Sequence, residues 1–332
     1  MRRTFLQQAA GAGLALGLAP WTGMGLAHAQ GGGSPYPAKP IRLIVPFPPA
    51  GGTDAIARAV GEKMGGELGQ NFVIDNKPGA GGMIGADAGA RAPADGYNLL
   101  IGTNSTLVTN KYLYAKMPYD PDQFELIGLI GITPLLLLAN PSVPARTVPE
   151  LVAYAKANPG KLTYASFGNG TTSHLAGELF KQMAGVDMLH VPFKGASEAL
   201  PALIGGQVSL YFDTIISGLP HVKSGKLVAL GVTTTKRSAI LPQLPTVAEQ
   251  GYPGYEIYPW YGMVAPKGTP REALDKLRGV LGRTVRDPQL VEKLVATGAE
   301  VTPMSATEFA EMVRQDHVKT EKLVKTASIS LL

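Results

Sequence analysis

The side chains of nucleophilic hydrolysis all occur in this chain: Ser166, His174 and Asp213. In 332 residues that co-occurrence carries little weight. Ser166 and Ser173 lack the flanking glycines of a nucleophile elbow. His174 falls at the start of a helix-like segment, where a histidine caps or packs more often than it acts as a base. His190, His221 and His317 show no metal-ligand spacing, and there is no H-E-x-x-H. There is no cysteine, which excludes disulfides, thiolate metal sites and cysteine nucleophiles. Gly79-Ala80-Gly81-Gly82-Met83-Ile84 begins like a dinucleotide fingerprint, but Ile84 occupies the place of its last glycine. The residues therefore predict no catalytic centre, no metal and no cofactor; a periplasmic hydrolase using Ser166 and His174 is the rival reading.

Positive evidence lies elsewhere. Residues 46–54 and 166–173 are rich in glycine and small hydroxyl residues, and each opens a helix. Such loops expose backbone N–H groups, and a helix N-terminus adds roughly half a positive charge. Two of them facing one another would clamp an anion without lysine or arginine. The same composition also suits ordinary strand-to-helix turns.

The elements that must position these loops repeat one grammar. Ile41–Val45 is a short apolar strand, then prolines and glycines, then Thr53 or Asp54 as a helix cap, then Ile56, Ala57, Val60, Met64 and Leu68 at helical spacing. Phe72–Ile74, Leu99–Ile101, Leu162–Ala165, Val208–Phe212 and Leu227–Val232 are further strands. Alternation of this kind predicts an α/β fold with mainly parallel sheets flanked by helices. Capping-box patterns start helices at Thr147/Glu150, Thr269/Glu272 (with Pro270 at the first helical position) and Ser305/Glu308; Asp287-Pro288 starts one that Gly298 ends.

The length exceeds one ordinary core. Two apolar runs, residues 124–139 and 255–265, lack helical amphipathicity and suit extended crossings between two lobes. The expected organisation is 36–134 plus 259–332 as lobe 1 and 135–258 as lobe 2, hinged near 134 and 258. Tyr258, Trp260 and Tyr261 would either pack this hinge, the favoured reading, or contact an aromatic acid.

Residues 1–29 read as an export signal. Arg2-Arg3 precedes an apolar Gly/Ala-rich stretch, and Ala27-His28-Ala29 supplies the small residues of a cleavage site. Arg2-Arg3 followed by Phe5-Leu6 suits a twin-arginine signal or an ordinary basic start. Cleavage near Ala29 would leave 28 of the 30 basic residues against 25 acidic ones, a net +3. That balance excludes a nucleic-acid footprint. No later stretch has about 18 consecutive apolar residues, so the expected product is soluble and periplasmic.

The motif series now resembles a known family. Val45-Pro46-Phe47-Pro48-Pro49-Ala50-Gly51-Gly52-Thr53-Asp54, Asn76-Lys77-Pro78-Gly79-Ala80-Gly81-Gly82, Tyr164–Thr171, His190-Val191-Pro192-Phe193-Lys194-Gly195, Phe212-Asp213 and Gly251–Tyr255 occur in order. They resemble the periplasmic substrate-binding proteins of tripartite tricarboxylate transporters, the Bug receptors. The resemblance implies a two-lobed, type II periplasmic-binding-protein (Venus-flytrap) fold with two crossing strands. It implies a monomer that takes a small carboxylate in the interlobe cleft and delivers it to membrane permease subunits; a sensor kinase is the alternative partner. Phe47, Ala50, Gly51, Thr53 and Asp54 would line one side, and Ser166, Gly168, Thr171 and Thr172 the other. Thr103, Ser105 and Asp213 would lie nearby. One departure falls at Pro49-Ala50, where the family usually has a Pro-Gly-Gly run after a small residue.

Overall fold

The computed structural model describes residues 36–326 of the chain; the export signal assigned to residues 1–29 lies outside them. Eleven strands form two sheets. The six-stranded sheet has the order β11-β4-β10-β3-β1-β2, from β1 (Ile41–Val45), β2 (Phe72–Asn76), β3 (Asn98–Thr103), β4 (Phe124–Ile132), β10 (Trp260–Pro266) and β11 (Glu300–Met304). The five-stranded sheet has the order β7-β6-β8-β5-β9, from β5 (Leu135–Ala139), β6 (Leu162–Ser166), β7 (Met188–Pro192), β8 (Leu210–Thr214) and β9 (Val228–Val232). Helices flank both, giving a two-lobed α/β fold.

Alternation suggested mainly parallel sheets. The pairing is parallel in β2–β1–β3 and β7–β6–β8. It is antiparallel where β10 and β5 join their neighbours, so each sheet is mixed. The physical reason is the crossing: a strand arriving from the other lobe enters its sheet against the direction of the βα units.

β5 shows why these strands read as continuous apolar runs. All five of its residues are buried. Leu135, Leu137 and Ala139 join one core cluster, whereas Leu136 and Leu138 join the cluster on the opposite face. A strand covered on both faces has no polar side to alternate with. β4 and β5 lie in different sheets, separated by Thr133 and Pro134. The return crossing runs beside this one: Thr133 N–H donates to the Pro259 carbonyl at 3.0 Å. Trp260 packs edge-on against Phe309 of the last helix, α10 (Ala306–Thr326), and its indole N–H donates to half-buried Asp316 at 2.8 Å. It therefore packs the start of β10 against α10.

The helix starts hold with two exceptions. Thr147, Asp287 and Ser305 accept from the backbone three residues on. Thr269 instead donates to the Pro266 carbonyl, and Pro270 takes extended ψ at the cap of α8 (Arg271–Thr284). Neither Thr53 nor Asp54 caps the first helix, α1 (Gly52–Leu68). Gly51 stands at its N-cap, without a side-chain bond.

Candidate functional site

A cavity, partly open to solvent, lies between the two sheets' connecting loops. From the six-stranded side it is lined by Phe47, Pro48, Pro49, Gly51, Gly52 and Thr53 of the β1–α1 loop. Thr103, Ser105, Pro259 and Tyr261 complete that wall. The opposite wall is Phe167, Thr171, Thr172, Gly195–Ser197 and Thr214. Eight of these residues carry hydroxyls, and none is Lys, Arg, Asp or Glu.

The walls touch. Phe47 meets Phe167 edge-on at 6.5 Å between ring centroids. A Cβ on Gly195 would lie 2.7 Å from the Pro48 ring, and one on Gly52 would lie 2.8 Å from Thr214 Oγ1. Each pair joins one lobe to the other, so the lobes are closed on one another and glycine permits the approach.

Four helices begin at this cavity: α1, α5 (Thr172–Ala184), α6 (Ala196–Ile204) and α7 (Ile215–Lys223). The first turn of α1 closes with Ala55 N–H donating to Gly51, and that of α5 with Leu175 N–H donating to Thr171. The N–H groups ahead of those bonds, at Gly52, Thr53 and Thr172, are the ones a helix leaves for a cap or a ligand. The combined field favours a negative group, and a neutral lining adds no competing charge.

Groups behind the wall fix the loops. Asp54 is buried at the foot of the β1–α1 loop and accepts from the Ala50 N–H at 3.0 Å, Asn76 Nδ2 at 3.0 Å and Arg58 Nε at 2.9 Å. Burial pushes its carboxyl up, but the bonds from Arg58, Asn76 and Ala50 win and hold it below the usual range. On the other wall, Ser166 accepts from Gly168 N–H at 3.0 Å and pairs with His190 Nε2 at 2.7 Å. His190 stacks on His174 with ring centroids 4.0 Å apart. Burial lowers both, to about 3 for His190 and about 4 for His174, so both rings are neutral at pH 7. His174 Nδ1 accepts from Gly170 N–H at 3.3 Å, which makes it a packing and loop-holding histidine.

The expected site residues divide accordingly. Phe47, Gly51, Thr53, Thr103, Ser105, Thr171 and Thr172 line the cavity. Ala50, Asp54, Ser166, Gly168 and Asp213 do not. Ala50 is exposed, with φ 63°, and turns the loop. Gly168, at φ 126°, faces the Phe193 carbonyl and Gly81. Ser166 is fully buried and bonded to His190 instead of His174, which removes the geometry of the hydrolase reading. Asp213 is fully buried beneath the wall, accepting from Ser217 Oγ at 2.7 Å, and burial pushes its carboxyl up to about 7. Missed from sequence were Gly52, Phe167, Gly195–Ser197, Thr214, Pro259 and the cavity position of Tyr261. Gly195 closed one quoted motif and Phe167 sat inside another, so the signal was present but unassigned.

Residues 56–329 match the model of the tripartite tricarboxylate transporter family receptor. The chain belongs to this family. Protein BugT of Bordetella pertussis is 38% identical over 274 residues, 82% of this chain and 83% of that protein. The structure of Rpa4515 of R. palustris with adipate superposes with a TM-score of 0.87 at 38% identity, covering 90% of this chain and all of that one. MatC from Rhodopseudomonas palustris with bound malate gives 0.82 at 32% identity, covering 87% of this chain and all of MatC. The family is one of periplasmic solute-binding receptors and not of enzymes.

Proposed function

We propose that this receptor captures a small organic carboxylate in the interlobe cleft, in the periplasm, and presents it to the membrane permease subunits of a tripartite transporter. One observation carries the reading: four helix N-termini meet at a cavity lined by hydroxyls and free of charged side chains. An anion there is held by backbone dipoles, and removing it from water needs no counter-charge beyond them. Two relatives with bound adipate and malate support the same chemistry. Phe47, Gly51, Thr53, Thr103, Ser105, Thr171 and Thr172 would contact the solute. Ala50, Asp54, Ser166, Gly168 and Asp213 would hold those contacts in place.

The lobes, 36–134 plus 259–332 and 135–258, would open and close about the paired crossings at Thr133–Pro134 and Tyr258–Pro259. Binding stabilises the closed form by the solute's differential affinity for it. Calorimetry with mono-, di- and tricarboxylates, an amine and a sugar tests the proposal. A carboxylate should bind one per chain; binding of the amine or the sugar alone would refute it.

A further inference from the structure

We propose that Thr214 is a specificity-determining residue whose hydroxyl is held as a hydrogen-bond acceptor, so that the cleft selects carboxylates carrying a donor, such as a 2-hydroxyl, beside the carboxyl group. The inference rests on the carboxylate reading above. Thr214 lines the cavity and stands at the N-cap of α7, yet its side chain accepts no helix N–H. Its oxygen lies instead 2.7 Å from Ser217 Oγ, and Ser217 Oγ lies 2.7 Å from Asp213 Oδ1.

The direction of this chain follows from proton counting. Ser217 has one hydroxyl proton. Its possible acceptors are Asp213 Oδ1 and Thr214 Oγ1, each at 2.7 Å, and the Thr214 carbonyl at 3.3 Å. A carboxylate oxygen is a stronger acceptor than a hydroxyl or a carbonyl, so Asp213 takes the proton. Asp213 Oδ1 accepts there when the carboxyl is ionised, and also when its proton sits on Oδ2, the oxygen buried on the side of the Tyr211 hydroxyl. With its own proton committed, Ser217 can only accept from Thr214. Thr214 has then spent its proton, and only lone pairs remain for the cavity. Thr214 Oγ1 is 2.8 Å from where a Cβ on Gly52 would lie, so those lone pairs stand beside the N-terminus of α1, which anchors the anionic head. A donor on the carbon next to the carboxylate reaches them; a carbonyl oxygen in that place meets another acceptor.

The test measures affinity for matched 2-hydroxy and 2-oxo dicarboxylates of four to six carbons, by calorimetry on the signal-free protein. For the length that binds, the hydroxy acid should bind about tenfold tighter or more, the yield of one net hydrogen bond. Ser217→Ala frees the Thr214 proton, and Thr214→Val removes the acceptor; in both, the ratio should fall to within about threefold, while general damage would weaken both ligands equally. A ratio near one in the unaltered protein, or a ratio unchanged in Ser217→Ala, overturns the inference and leaves the carboxylate reading standing. Failure of all these dicarboxylates, where another carboxylate binds, overturns the inference alone; failure of every mono-, di- and tricarboxylate overturns both.

Discussion

Gly52→Ala separates closure from folding. Gly52 sits in the first turn of α1, outside the left-handed region, so a methyl there suits its backbone. Within its own lobe the substitution should be neutral or slightly stabilising, because alanine outranks glycine in helices by up to about 1 kcal/mol. Across the cleft the methyl carbon meets Thr214 Oγ1 at 2.8 Å, Cβ at 3.3 Å and Cγ2 at 3.4 Å. Overpacking of this kind costs about 1–3 kcal/mol, and here only in the closed form. Affinity for the carboxylate should therefore fall about 5- to 150-fold while the unliganded melting temperature holds or rises. Gly195→Ala is a companion through an independent contact, because its methyl would meet the Pro48 ring at 2.7 Å and its extended φ of 165° tolerates any residue. Pro48→Ala should restore most of that second loss. Trp260 is the sole tryptophan beyond residue 35 and sits at the crossing, so its fluorescence can report each titration. Unchanged affinity in Gly52→Ala and Gly195→Ala would show that the bound form does not bring these walls together.

Three further outcomes follow from groups behind the wall. Burial raises the Asp213 carboxyl from 3.8 to about 7, so its charged form is penalised in the fold. As pH falls from 8 towards 5 the native state takes up a proton on Asp213 that the unfolded chain does not, which stabilises the fold by a few kcal/mol against the opposite contribution of the neutral His174 and His190; in Asp213→Asn the melting temperature should therefore drop more steeply towards pH 5 than in the unaltered protein, and parallel curves would contradict this. Asp316→Ala leaves Trp260 Nε1 and Asn104 Nδ2 without their shared carboxylate, so urea unfolding should show a loss of about 2–4 kcal/mol, with Asp316→Asn losing less. Ala50 holds φ 63°, and Ala50→Gly should stabilise the protein by about 1 kcal/mol in the same assay; destabilisation would show that the loop does not carry this turn.

The local grammar of the chain is legible because each βα unit announces itself within about a dozen residues. Ile41–Val45 followed by Pro46–Gly52 can be little else, and its loop does line the cavity. What sequence reading could not supply is which loops converge. The N-termini of α6 and α7 reach the cavity because β7, β6 and β8 lie side by side, and that order is invisible along the chain. Single-residue parity decides the rest. On β8, Leu210 and Phe212 face one core and Tyr211 the other. Asp213 shares the Tyr211 face of β8, while Thr214, on the other face at the strand's end, lines the cavity, so a choice one residue off selects the residue behind the wall instead of the one in it. Asp54 was misplaced for a related reason: with Ala50 turning left-handed and Gly51 at the cap, the carboxylate points back into its own loop.

The most direct measurement is a crystal structure of the signal-free protein with the tightest-binding carboxylate from the calorimetric panel. The account predicts carboxylate oxygens about 2.7–3.1 Å from the N–H groups at the start of α1 and α5, with no lysine or arginine in contact. A carboxylate held instead by a charged side chain, or lying outside the cavity between Gly52 and Thr172, would contradict it.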